Sequence, residues 1–95
     1  MRITRSNIVY HELVGLEVEV ARHENKELES VKGLVAWETK KTLVVKDHSS
    51  KREKRILKAG GIFTFKLPDG GNVTLKGEEI IGAPWDRAKR IIRGR

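Results

Sequence analysis

The chain has 95 residues and a formal net charge of +7, with 20 Lys and Arg against 13 Asp and Glu, and it contains no cysteine. One domain with a modest core suits this length, and the lack of cysteine excludes disulfides and thiolate metal sites. No apolar stretch approaches the roughly 18 residues of a membrane span. The polar N-terminus is unlike a signal peptide, so we expect a cytoplasmic protein that makes no membrane contact.

The first half of the chain predicts a short helix followed by three strands. Residues 6–14 fit a helix with Ser6 or Asn7 as N-cap and Gly15 as the residue that ends it. Residues 16–20 alternate apolar and acidic side chains, which is typical of a half-buried antiparallel strand. After a polar loop, residues 33–38 and 42–46 flank a short turn and predict a hairpin.

The second half predicts three more strands and a C-terminal helix. Residues 54–58, 62–67 and 72–76 have strand patterns, separated by Gly60-Gly61 and by the turn 68–71. Pro84 is suited to the first turn of a helix, which we expect to span residues 84–93. Six short strands without a long helix between them predict an all-β fold, an antiparallel β-barrel or tightly bent sheet with its core at about residues 15–77.

The aromatic residues are expected to be structural. Phe63 and Phe65 share one face of their strand and should lie in the core. Trp37 is also predicted to be a core residue, and Trp85 should anchor the C-terminal helix. Because the chain has only 2 Trp, 1 Tyr and 2 Phe, we expect nucleic-acid contacts to phosphates rather than stacking of bases.

No catalytic or metal-binding pattern is visible in the sequence. His11, His23 and His48 are isolated, with no second ligand at metal-binding spacing. Glu78-Glu79 is best explained as a solvated turn. Gly60-Gly61 fits either a phosphate-binding nest or a barrel corner that needs positive φ. The sequence therefore predicts a protein without an active site or bound cofactor of its own.

The positive charge is concentrated in the second half. Residues 1–48 hold eight Lys and Arg against eight Asp and Glu, whereas residues 49–95 hold twelve against five, a difference of +7. Such asymmetry on a compact domain indicates a polyanionic partner, most commonly nucleic acid. The candidate RNA-binding residues form two clusters: Lys51, Arg52, Lys54, Arg55 and Lys58, then Arg87, Lys89 and Arg90.

The order of segments resembles the archaeal ribonuclease P protein component 1 family over roughly residues 7–90. The resemblance is carried by residues 11–18, by the hairpin 33–43, by residues 56–63, and by 77–80 with 84–90. One departure is that Ala83-Pro84-Trp85-Asp86-Arg87 stands where the family usually has Arg-Pro-Glu-Asp-Arg. A basic residue is thus missing from that motif, and a tryptophan replaces an acid.

The resemblance implies an Sm-like or SH3-like barrel in ribonuclease P (EC 3.1.26.5), the enzyme that removes the 5′ leader of precursor tRNA. The family's RNA subunit carries the active site and its Mg²⁺, and the protein contacts precursor tRNA only indirectly. The resemblance also implies a protein that is a monomer alone and pairs with a zinc-ribbon protein subunit through the N-terminal helix region and a neighbouring strand. Here the implied partner-binding residues are Asn7, Val9, Tyr10, Leu13 and Leu16.

Two other functions remain open from the residues themselves. Another small basic barrel that binds RNA, of the ribosomal SH3-like or Sm type, would have the same charge pattern, and an Sm-type ring would be a homo-oligomer. A self-contained enzyme would need a catalytic constellation that the sequence does not contain.

Overall fold

Six antiparallel strands in one bent sheet form most of the structure. The structure is a computed structural model, and it describes the backbone of residues 3–93 and the side chains of residues 3–89. The strands are β1 Glu17–His23, β2 Lys32–Glu38, β3 Thr42–Asp47, β4 Glu53–Leu57, β5 Gly61–Lys66 and β6 Asn72–Lys76. Their order in the sheet is β4-β3-β2-β1-β5-β6. The prediction of an all-β fold with six antiparallel strands is confirmed.

The helical elements are short. The helix α1 spans Pro84–Arg93, and 3-10 turns occupy Ile8–Tyr10, Lys26–Leu28 and Gly77–Ile80. The sequence predicted a helix over residues 6–14, but the structure has only the three-residue turn there, and His11 is already extended. The backbone carbonyls of Val9 and His11 accept hydrogen bonds from a distant side chain instead of from a following helical turn. Tertiary contacts therefore replace the helix that local sequence favoured.

The hydrophobic core lies inside the bend of the sheet, on the face to which alternate residues of each strand point. Phe63 and Phe65 are fully buried there, as predicted, with their ring centroids 6.4 Å apart. The other buried hydrophobic residues of the strands are Val18, Val20, Val35, Leu43, Val45, Ile56 and Leu75. Ile8, Leu13, Leu16 and Ile80 belong to the same cluster.

A bulge in β2 moves one aromatic residue out of the core. The register between β2 and β3 shifts between Val35 and Trp37, so that Val35 pairs with Val45 while Trp37 pairs with Val44. An extra residue inverts the inward and outward alternation beyond it. Trp37 is consequently 62% exposed, and the prediction that it is a core residue is wrong. Glu38 takes the inward position instead.

The two edges of the sheet approach each other near the end of β4. A Cβ on Gly77, directly after β6, would lie 1.4 Å from the carbonyl oxygen of Lys58, directly after β4. Only glycine allows the two backbones to come this close. A second register shift, between Val20 and Arg22, bends β1 where it pairs with β5. These features give the sheet its barrel-like curvature.

Candidate nucleic-acid interface

Strand β4 divides the first basic cluster between two faces. Arg55 points outward and is exposed, whereas Lys54, Ile56 and Lys58 share the inward face. Because side chains alternate along a strand, an inward Ile56 requires its neighbours two residues away to point inward as well. The cluster is therefore not a single surface.

A buried ionic group lies at the end of the barrel where β2, β4 and α1 meet. It consists of Glu38, Lys58 and Arg87, whose side chains are all 0% exposed. The Nζ of Lys58 donates to Oε2 of Glu38 over 2.7 Å. Arg87 donates to both carboxylate oxygens, through Nη1 to Oε2 and through Nη2 to Oε1 at 3.2 Å. The single carboxylate thus pairs with two cations.

Backbone carbonyls satisfy the remaining donors of the two cations. Arg87 donates from Nε to the carbonyl of Val9 and from Nη2 to that of His11, each over 2.8 Å. Its Nη1 also donates to the carbonyls of Ile80 and Gly82. Lys58 donates to the carbonyls of Thr39, Lys40 and Gly82. Arg87 thereby ties the N-terminal segment, the segment before α1 and the barrel together.

This burial corrects two of the candidate RNA-binding residues. Lys58 and Arg87 were expected to neutralise phosphates, which requires exposed side chains. Both are fully buried and hydrogen-bonded to protein groups. The alternation around Ile56 contained a signal for the inward position of Lys58. Nothing in the sequence marked Glu38, because its position depends on the bulge in β2.

Asp47 organises the turn between β3 and β4. Its carboxylate accepts hydrogen bonds from the amide of Ser49 and the hydroxyl of Ser50, each over 3.1 Å. It also pairs with the Nζ of Lys54 at 3.3 Å. These contacts, led by the bond from Ser49, hold the pKa of Asp47 below its usual value. Lys54 is therefore partly buried and stabilises the turn, whereas Lys51 and Arg52 are exposed.

The outer side of β2, β3 and β4, with the turns that connect these strands, carries six exposed cations. We define the basic face as the outward residues of these strands from Leu34 onward, with the two turns that connect them. Its cations, all exposed, are Lys40, Lys41, Lys46, Lys51, Arg52 and Arg55. Glu53 is the exposed acid among them, because Glu38 and Asp47 point inward and are buried. Half of these cations come from the neutral half of the sequence.

The outer side of β1 carries acids as well as exposed Arg22. Glu17 and Glu19 both point outward there, and Oε2 of Glu17 lies 2.6 Å from Nε2 of His48. A shallow groove of about 250 Å³ runs over these two carboxylates and is also lined by Lys32, Lys66 and other polar groups. Acids and cations are therefore mixed on this part of the sheet, unlike on the basic face.

The second predicted cluster is also divided. Lys89 is exposed on α1, Arg87 is buried, and Arg90 lies outside the residues whose side chains the structure describes. Trp85 is 67% exposed, so the expectation that it anchors the helix is wrong. Arg87 fixes α1 to the barrel instead.

The predicted partner-binding residues divide into core and surface. Leu13 and Leu16 are buried in the hydrophobic cluster and offer no contact surface. Val9, Tyr10 and Asn7 are half-buried. The Oδ1 of Asn7 accepts a hydrogen bond of 2.7 Å from the amide of Thr4, which shapes the turn that presents Val9 and Tyr10.

The side chains of His23 and His48 have partners within the protein. Buried His23 accepts a hydrogen bond at Nδ1 from the amide of Asn25, which leaves its Nε2 to donate to the carbonyl of Leu57 over 3.0 Å. His23 therefore links β1 to the end of β4. Within residues 3–93, no three His, Asp or Glu side chains converge in a way that could hold a metal ion. No helix in this part of the chain is long and apolar enough to cross a bilayer.

Comparisons with known proteins agree on one group. Residues 6–90 match the family model described as ribonuclease P/MRP, subunit p29. The chain is 46% identical over 93 residues to ribonuclease P protein component 1 of Staphylothermus marinus, covering 98% of this chain and 100% of that one. The corresponding protein of Desulfurococcus amylolyticus is 48% identical with the same coverage.

A solved structure supports the same grouping. The structure of Mth11, described as a homologue of the human RNase P protein Rpp29, superposes with a TM-score of 0.59 at 32% identity. The superposition covers 81% of this chain and 97% of that one. The likeness therefore extends to the fold as well as the sequence.

Proposed function

The chain belongs to the ribonuclease P/MRP subunit p29 family, and from this premise we propose that it is a noncatalytic subunit that binds ribonuclease P RNA through its basic face. As a ribonuclease P subunit it acts in tRNA processing and associates with ribonuclease P RNA and other protein subunits. The proposal adds that the RNA subunit, with its Mg²⁺, cleaves the 5′ leader of precursor tRNA. The chain itself binds no cofactor and acts in the cytoplasm.

The observation that carries the RNA-binding proposal is the charge of the basic face. Six exposed cations surround one exposed acid there, and each cation that contacts a phosphate releases counterions from the RNA. We propose that Lys51, Arg52 and Arg55 of the predicted set contact phosphates together with Lys40, Lys41 and Lys46. Lys89 and Arg90 on α1 extend the contact, while Lys54 shapes the turn.

The test measures salt dependence with two charge-matched triple variants. Changing Lys46, Lys51 and Arg55 to Ala should weaken binding to Staphylothermus marinus ribonuclease P RNA and reduce the slope of log affinity against log salt by about 2 to 3. The control changes exposed Lys26, Lys66 and Lys76, which lie elsewhere, to Ala. Equal effects of the two variants would show that net charge alone, and not the basic face, binds the RNA.

A reconstituted cleavage assay tests the noncatalytic role. We expect the chain to increase cleavage of precursor tRNA by the RNA subunit and to cleave nothing on its own. Cleavage by the protein without RNA would contradict the proposal. The family match does not favour the alternative, a small basic RNA-binding barrel of the ribosomal SH3-like or Sm type. A protein of that kind would leave the rate of precursor tRNA cleavage unchanged.

We also propose that the N-terminal segment contacts a zinc-ribbon subunit through Tyr10 and Val9, which are accessible, rather than through Leu13 and Leu16. Light scattering should find a monomer alone and a one-to-one complex with that subunit. Tyr10→Ala should weaken the complex, whereas Lys66→Ala, on β5, should not. A homo-oligomer of the isolated chain would contradict this arrangement.

A further inference from the structure

The basic face carries exposed apolar side chains as well as cations. Four large apolar side chains are exposed among the described residues, and three of them lie on this face. They are Trp37 at 62%, Leu57 at 57% and Leu34 at 38% exposure. Exposed apolar groups gathered on one face of a small domain indicate a binding surface.

Strand register places Trp37 in one row with a cation. Trp37 of β2 pairs with Val44 of β3, and Val44 pairs with Arg55 of β4. All three point outward, and strand spacing puts the first and third Cα atoms about 10 Å apart. Val44, between them, is half-buried. The row therefore places an exposed indole and an exposed guanidinium on the same face, with one strand between them.

The surrounding charges favour RNA over a protein as the occupant. Lys46 lies within the face, and Lys40, Lys41, Lys51 and Arg52 lie at its two ends, against the single exposed acid Glu53. Lysines are depleted in the centres of protein interfaces because their charge must be desolvated. Aromatic groups within a cationic groove are instead typical of single-stranded nucleic-acid sites, where bases stack and phosphates follow the charges.

We propose that Trp37 is a stacking platform for an unpaired base of the ribonuclease P RNA, with Arg55 and the turn cations holding the neighbouring phosphates. This inference rests on the proposed function, since it assumes that the basic face binds that RNA. It adds a base contact to an interface for which the sequence predicted only phosphate contacts. Stacking of one base contributes enough that its loss lowers affinity roughly 5- to 150-fold.

The two tryptophans of the chain allow a direct spectroscopic test. Trp85→Phe leaves Trp37 as the only tryptophan, and Trp37→Phe leaves Trp85 as the matched control. Titration with Staphylothermus marinus ribonuclease P RNA should quench the fluorescence of the first variant, because stacking on a base quenches indole emission. The second variant should be quenched less, because Lys89, four residues after Trp85 in α1, is proposed to contact phosphates and not a base.

Affinity measurements separate stacking from charge. Trp37→Ala should lower RNA affinity within the range above while the slope of log affinity against log salt stays that of the wild type. Because Trp37 is exposed, this variant should keep the wild-type circular dichroism spectrum and a melting temperature within about 4 °C. The triple variant of the basic face should instead reduce the slope.

The outcomes distinguish failure of this inference from failure of the proposed function. Salt-dependent RNA binding by the wild type without quenching of Trp37, or with an unchanged affinity of Trp37→Ala, would overturn the stacking platform alone. Absence of RNA binding would overturn both. Quenching by precursor tRNA only, or by another protein subunit without RNA, would assign the face to that partner and overturn the inference as well.

Discussion

Glu38 at the end of β2 and Arg87 in α1 lie 49 residues apart in sequence and meet in a bidentate, fully buried ion pair. The same carboxylate accepts hydrogen bonds from Lys58 and from the amide of Leu13. One side chain thus connects the N-terminal segment, two strands and the C-terminal helix. Its neutralisation would leave two buried cations without their counterion.

We predict that Glu38→Gln lowers the free energy of unfolding by about 3 to 5 kcal/mol, because it leaves Lys58 and Arg87 buried without their counterion. Arg87→Met should also cost several kcal/mol, because it removes the donors to Glu38 and to the carbonyls of Val9 and His11. Chemical denaturation followed by circular dichroism measures this. Lys89→Ala, at an exposed position of the same helix, is the control and should change stability by less than about 0.5 kcal/mol. Additive losses in the Glu38→Gln, Arg87→Met double variant would contradict the coupling.

Gly77 should tolerate no side chain. In Gly77→Ala the new Cβ would collide with the carbonyl of Lys58, and separating the two backbones should cost about 1 to 3 kcal/mol of unfolding free energy. The measurement is thermal or chemical denaturation. Gly71→Ala is the matched control, because its nearest neighbour is the end of a flexible side chain, 3.3 Å from the new Cβ. Equal stability of the two variants would disprove the close approach.

The pH dependence of stability should include a contribution from Asp47. The hydrogen bond from the amide of Ser49, then those from Ser50 and Lys54, lower its folded-state pKa below the ordinary 3.8. The carboxylate therefore stabilises the fold above about pH 4, and this stabilisation is lost as pH falls through the lower folded-state pKa. The difference in unfolding free energy between the wild type and Asp47→Asn should shrink on acidification over that interval. A difference that stays constant with pH would argue against the lowered pKa.

Lys51 offers a way to remove charge without removing stability. Its φ is +64°, a left-handed conformation that costs a residue with a Cβ about 1 kcal/mol and costs glycine little. We expect Lys51→Gly to fold at least as stably as the wild type and to bind ribonuclease P RNA more weakly. Denaturation and a binding titration at low salt measure the two effects. If Lys51→Gly bound the RNA with the affinity of the wild type, Lys51 would not be part of the interface.

Most of the strands could be predicted from the sequence because each is short, alternating and bounded by turn residues. The six observed strands lie within one or two residues of the predicted ones at most ends. The N-terminal helix could not be predicted correctly, since its backbone carbonyls bond to Arg87 from the other end of the chain. Local propensity is a weak determinant when a tertiary contact competes for the same groups.

The candidate site was predictable only in part. The charge counts predicted a basic surface, and Lys51, Arg52, Arg55 and Lys89 are exposed as that prediction requires. The inward position of Lys58 could have been predicted from the alternation around Ile56, but Lys58 was assigned to the RNA-binding residues instead. The burial of Arg87 did not, because the carboxylate that pairs with it becomes inward only through an irregularity of β2.

The amino-acid sequence by itself determined the all-β class, the six strands, the excess of positive charge and the family. These properties depend on composition, alternation and the order of segments along the chain. Only the tertiary structure decided which charges are exposed and which hold the fold together. A one-residue bulge between Val35 and Trp37 placed the indole outside and Glu38 inside, because an inserted residue inverts every following side chain of a strand. The basic face is therefore assembled from both halves of the chain, because β2 and β3 bring Lys40, Lys41 and Lys46 onto the same face as the cations of the second half.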